Sequence, residues 1–149
     1  MTAVWHDHLG PDPSAHLEGI TALLAGAPGL QGGVHVSHID GPLPSDAAGR
    51  VYPYALLWPG AGTPVEDDDV TGRIYQAATA STLTVTVASG DRAWTMQAAR
   101  HVRHALTGAL DGRVQPDRLQ QRFAQIMRDP AERPARYYIP LTWTITDHA

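Results

Sequence analysis

The sequence has no cysteine, no lysine, a single phenylalanine and no long apolar run. Without thiols there is no disulfide, no thiolate metal site, no cysteine nucleophile and no thiol redox switch. No stretch reaches the ~18 apolar residues of a spanning helix, so no membrane partner is expected. Met1 to Gly10 carries Trp5, His6, Asp7 and His8 where a secretory signal needs a basic patch followed by an apolar stretch. The expected compartment is therefore the cytosol. All 11 basic residues are arginine, and beside 22 alanines this reads as the codon bias of a GC-rich genome rather than a demand for forked guanidinium contacts. A net charge of −4 argues against a chain that holds DNA by neutralising phosphates.

What is present is the composition of a globular protein, with 43% hydrophobic and 17% charged residues. A chain of 149 residues fits one domain. At that length roughly 68–70% of the unfolded surface is buried, enough for a core without cross-links. The single domain spans 1–149, with an N-terminal arm at 1–11.

Asp12-Pro13-Ser14 is a helix-start signal, and Leu17, Ile20, Leu24 and Ala27 then share a stripe up to the stop at Gly26 to Gly29. A helix is predicted over 13–26. Val34, Val36 and His38 alternate with His35, Ser37 and Ile39, which reads as a first strand. Val51 to Trp58 is a second, with Pro53 imposing an edge or bulge. Residues 59–72 hold Pro59, Gly60, Gly62, Pro64, Gly72 and the acidic run Glu66-Asp67-Asp68-Asp69, and are expected to form a long exposed loop.

In Ile74 to Ala88, Leu83, Val85 and Val87 oppose Thr82, Thr84 and Thr86 with strict period two. Asp91 then caps a helix over 92–110 with a stripe of Trp94, Ala98, Val102, Ala105, Leu106, Ala109 and Leu110, ended by Gly112. Arg92, Arg100, Arg103, His104 and Thr107 occupy its other face. Residues 117–128 suit a short helix or a strand equally, and Asp129 to Pro134 is a turn. From Arg136 to Thr146, Tyr137, Ile139, Leu141, Trp143 and Ile145 face one way and Tyr138, Pro140 and the threonines the other. The pattern gives an α+β two-layer sandwich: one mainly antiparallel sheet of four to five strands, with two helices on one face.

The chemistry-bearing residues form no convincing catalytic set. His6, Asp7, His8 and His16 could ligate a metal, but a solvated N-terminal arm is the plainer reading. The acidic run lacks the alternation and central glycine of a calcium loop. His101 and His104 lie among arginines, with no Gly-X-Ser-X-Gly turn and no Asp to orient a base. Gly32-Gly33 and Gly60-Ala61-Gly62 are turns, not phosphate loops. No enzyme activity, cofactor or metal is assigned. Trp94 and Trp143 are expected in the core, whereas Trp58, at a strand end, is a candidate partner contact, as is Trp5.

The order of elements resembles the tail terminator, or tail completion, family of long-tailed bacteriophages. The matching features are the capped N-terminal helix, the Val51 to Trp58 strand, the hydrophilic 59–72 segment, and the strand Leu83 to Val87 passing through Ser89-Gly90-Asp91 into an Arg/Ala-rich helix. That helix ends His104-Ala105-Leu106-Thr107-Gly108, and the closing strand is Ala135 to Leu141. The resemblance implies a homo-oligomeric, hexameric ring at the head-proximal end of the virion tail, assembled in the host cytoplasm. Such a ring stops tube polymerisation and joins the tail to the head. Its partners would be further copies of itself, the major tail tube protein and the head-tail connector, with DNA passing through the channel unread. It also favours a strand at 119–127 paired with 136–146. The expected interface residues are Glu66, Asp67, Asp68 and Asp69 on one copy and Arg92, Arg100 and Arg103 on the next, together with Trp58. A head-tail connector subunit is the alternative, and a small metal-dependent hydrolase using His6, Asp7, His8 and the acidic run Glu66 to Asp69 a more distant one.

Overall fold

A computed structural model describes residues 14–60, 63–68 and 74–148. The order is α1 (Ser14–Ala25), β1 (Val34–Val36), β2 (Tyr54–Pro59), β3 (Thr63–Asp68), β4 (Ile74–Ser89), α2 (Arg92–Leu106), β5 (Val114–Pro116), α3 (Arg118–Phe123), β6 (Met127–Asp129) and β7 (Arg136–His148). The class is α+β. Among the described residues the sheet has seven strands, more than the sequence pattern suggested, in the order β1-β2-β4-β7-β5, with β3 added to β4 and β6 to β7. Only the β1–β2 pair is parallel.

The period-two segments form the centre of this sheet because their alternation sorts apolar from polar faces. Leu83, Val85 and Val87 lie opposite Trp143, Leu141 and Ile139 on β7, and opposite Pro59, Leu57 and Ala55 on β2. This face is covered by α1 through Ile20 and Leu24 and by α2 through Ala98, Ala99, Val102 and Leu106, all of them buried. Trp143 is fully buried, as its stripe predicts. Trp94 is not core. It is half-buried, stacked on Tyr52 with ring centroids 5.8 Å apart, and the Arg50 guanidinium lies 4.5 Å from its centroid.

The β4-to-α2 junction is tightly built. Asp91 caps α2 by accepting the Trp94 amide at 3.1 Å, and the Thr95 hydroxyl lies 2.7 Å from that of Ser89. Gly90 donates its amide to the Val51 carbonyl at 2.8 Å, and a Cβ there would stand 2.7 Å from the Val51 nitrogen. Only glycine fits such a backbone approach. The helix stops at Leu106, earlier than predicted. Ala109 and Leu110 still pack on the core, but Gly108, Leu110 and Asp111 turn into positive φ, which an α-helix cannot continue.

Three further segments differ from expectation. Residues 59–72 are not one long loop, because 63–68 pair with 74–80 as β3 of a hairpin with a register shift at Val65/Glu66. The strand forms because β4 offers it an edge, despite a composition poor in strand formers. Residues 117–128 are helix and then strand. Only 127–129 pair with β7, while the segment the resemblance cast as a strand from 119 is helical to Phe123. The first two strands are also shorter than predicted: Ser37 takes φ 65 directly after β1, and β2 begins after Pro53.

Candidate functional site

A sheet has two faces, and among the described residues α1 and α2 occupy one. The other carries Tyr54, Leu56 and Trp58 from β2, Thr82, Thr84, Thr86 and Ala88 from β4, and Tyr138, Pro140, Thr142 and Thr144 from β7, as the register requires. The Thr84 and Thr142 hydroxyls meet at 3.1 Å, so the two strands tie this face across their non-hydrogen-bonded pair. Trp58 is 48% exposed. A shallow cleft of about 190 Å³ runs over Tyr54, Leu56, Thr86 and Tyr138 and is closed by Arg136 and Asp129. Arg136 lies 5.8 Å from the Tyr54 ring centroid and reaches the Tyr54 hydroxyl at 3.4 Å.

The outer edge of β7 is finished in an unusual way. β6 pairs with 136–138 and β5 with 143–145, leaving a gap at Thr142. Side chains of α3 fill it. The Thr142 amide donates to Gln120 Oε1 at 2.7 Å, Gln120 Nε2 donates to the Pro140 carbonyl at 2.8 Å, and Gln121 Nε2 donates to the Thr142 carbonyl at 2.8 Å. Asp117, the cap of α3, adds its own amide to that carbonyl at 3.0 Å. With its amide residues turned to the sheet, α3 presents its apolar ones to solvent. Leu119 is 70% exposed, Phe123 67% and, on β6, Met127 42%. Together with Pro140 they line an apolar groove of about 560 Å³. Arg122 lies 5.6 Å from the Phe123 ring centroid, and Arg118 and Arg128 are exposed nearby in the chain.

On the opposite flank, Arg50 joins the 46–50 turn to α2 by binding Asp46 at 2.8 Å and Asp91 at 3.1 Å. Burial pushes the Asp46 carboxyl up, but the Arg50 amide and guanidinium and the Ala48 amide outweigh it and hold the group below the usual carboxylate range.

No family model and no curated protein matches the chain. Among solved structures it is similar to a chain of the "Virion of native gene transfer agent (GTA) particle", with a TM-score of 0.49 and 20% identity over 87% of this chain and 84% of that one. A likeness of that degree fixes no role for this chain.

Of the residues singled out in the sequence, Trp58 stands at the rim of the face away from α1 and α2. Arg92 and Arg100 are exposed on α2 and Arg103 is half-buried there. Glu66, Asp67 and Asp68 lie on β3, at the far end of β4 from the start of α2. Asp69, the arm at 1–11 and with it Trp5, His6, Asp7 and His8 fall outside the described residues. No group of three or more metal-ligating side chains occurs among the described residues, and no helix of the described chain is long and apolar enough to cross a membrane. The apolar groove on α3 and β6 was missed in the sequence, where Leu119, Phe123 and Met127 resemble an ordinary core stripe. The one available signal was that this segment suits a helix and a strand equally, while arginines stand at 118, 122 and 128.

Proposed function

We propose that this protein is a structural, self-associating subunit that works without catalysis, as a tail terminator of a long-tailed phage or phage-like particle. Copies form a ring, hexameric in the resembled family, that caps the tail tube, stops its polymerisation and joins it to the head connector. The observation that carries this reading is the sheet face away from α1 and α2, where the exposed Trp58 and the half-buried Leu56, Tyr138 and Pro140 share a surface with a threonine ladder. Apolar and aromatic area left open on a folded domain marks an interaction surface.

The shape of the sheet adds support. At about 3.3 Å per residue β4 extends roughly 50 Å, whereas α2 at 1.5 Å per residue covers about 22 Å of it. The β3–β4 hairpin and the end of β7 therefore reach past the helical layer toward whatever lies beside the domain. In a ring, heterologous contacts pair two different surfaces of successive copies. Here the acidic residues Glu66 to Asp69 of one copy face Arg92, Arg100 and Arg103 of the next.

Light scattering of the purified chain, alone and with tail tubes, tests the reading. Multimers, or a ring at the tube end, are expected. A chain that stays monomeric and leaves tubes bare refutes it. Reversing the charges at Asp67 to Asp69 is expected to weaken assembly and flatten its salt dependence.

A further inference from the structure

We infer that the apolar groove on α3 and β6 is the seat of a second copy of this chain, which docks there through its acidic strand β3. The inference rests on the self-association proposed above and names the surface that provides it.

The first argument is charge. Residues 1–90 hold nine of the fifteen acids and two of the eleven arginines, so the remaining nine arginines fall in 91–149. The groove lies within that basic part: Arg122 stands 5.6 Å from the ring of its Phe123, and Arg118 and Arg128 adjoin its Leu119 and Met127 in the chain. β3 carries three acids in succession. The second argument is geometry. Glu66 pairs with Gln76 and Pro140 with Thr86, ten residues apart along β4, which is about 33 Å. Acid and base therefore stand at opposite ends of one domain and are far too distant to meet within it. Between copies the same separation is the head-to-tail arrangement that closes a ring.

The third argument is energy. Arginines on a solvated helix such as α2 contribute little in exposed ion pairs. Exposed phenylalanine and methionine beside an arginine have the composition of an interface core, and Phe123 and Met127, with Arg122 near the Phe123 ring, are such a set. The α2 arginines are then secondary contacts, and α3 supplies the affinity.

Sedimentation of the full chain across a range of concentrations tests this, using Phe123→Ser and Leu119→Ser. Both positions are largely exposed, so the variants are expected to melt like the wild type. Each is expected to weaken association about tenfold or more, with Arg92→Glu and Arg100→Glu weakening it less. A variant with Arg118, Arg122 and Arg128 all changed to Glu is expected to associate poorly alone. It should recover when mixed with a variant carrying Glu66→Arg, Asp67→Arg and Asp68→Arg. If the wild type forms multimers and Phe123→Ser does so equally well, the seat is refuted while the proposed function stands. Failure of the charge swap to restore association refutes β3 as the docking element. Loss of tube binding without loss of self-association would make the groove a site for another protein and overturn the inference. A wild type that never associates, alone or on tubes, removes both.

Discussion

Replacing Gln120 with alanine tests the idea that α3 is held in place by its amides rather than by its own helicity. The helix has six residues and buries none of them. A segment that short does not persist in water by propensity. What fixes it is the Asp117 cap and the bonds from Gln120 and Gln121 to β7. Gln120→Ala removes two of these, at 2.7 and 2.8 Å, and leaves the Thr142 amide without its acceptor. At about 0.5–1.5 kcal/mol for each bond the loss is about 1–3 kcal/mol. For a chain of this size that corresponds to a fall in melting temperature of about 3–10 °C. The more telling readout is amide exchange, since Thr142 and the α3 amide of Gln121 should lose protection while Leu83, Val85 and Val87 keep theirs. Unchanged protection at Thr142, with a melting temperature within a degree of the parent, would refute the reasoning.

Gly90→Ala forces a methyl group into the Arg50–Val51 backbone and is expected to cost about 1–3 kcal/mol, read as a lower denaturant midpoint at constant slope. Trp143→Ala empties the centre of the core and should lose about 3–5 kcal/mol in the same assay, with a smaller loss indicating that the helices collapse into the space. Asp46 titrates below its unfolded value. Its contribution is therefore fully present above the ordinary carboxylate pKa and is lost as pH falls through the lowered folded value. Wild type and Asp46→Asn should thus differ in thermal stability near neutrality and converge in acid, and a gap that persists at the lowest pH contradicts the assignment.

The parts of the fold legible in the sequence were those where a single face decides the pattern. Leu83, Val85 and Val87 and the β7 series alternate because one side meets α1 and α2, and α2 shows its stripe for the same reason. β3 could not be read, since Glu66, Asp67 and Asp68 have no strand propensity and pair only because β4 outruns its other neighbours. α3 was hidden for the opposite reason. Its apolar residues face outward and its glutamines inward, so the usual sorting of side chains by polarity is inverted over six residues. Trp94 was misplaced because a stripe position does not say whether the ring meets the sheet or, as here, a tyrosine and an arginine from the 50–52 segment.

The glutamines that complete the β7 edge also bear on what kind of assembly this chain can make. A bare strand margin invites backbone pairing with any other chain and has no inherent stopping point, which is the route to fibres. Here that margin is saturated from within, by β6, Gln120, Gln121 and β5 in turn. A neighbour arriving on this side finds side chains to grip and, as strand edge, only the three residues each of β5 and β6. An assembly built through this side would rest on side-chain contacts rather than on a continued backbone ladder.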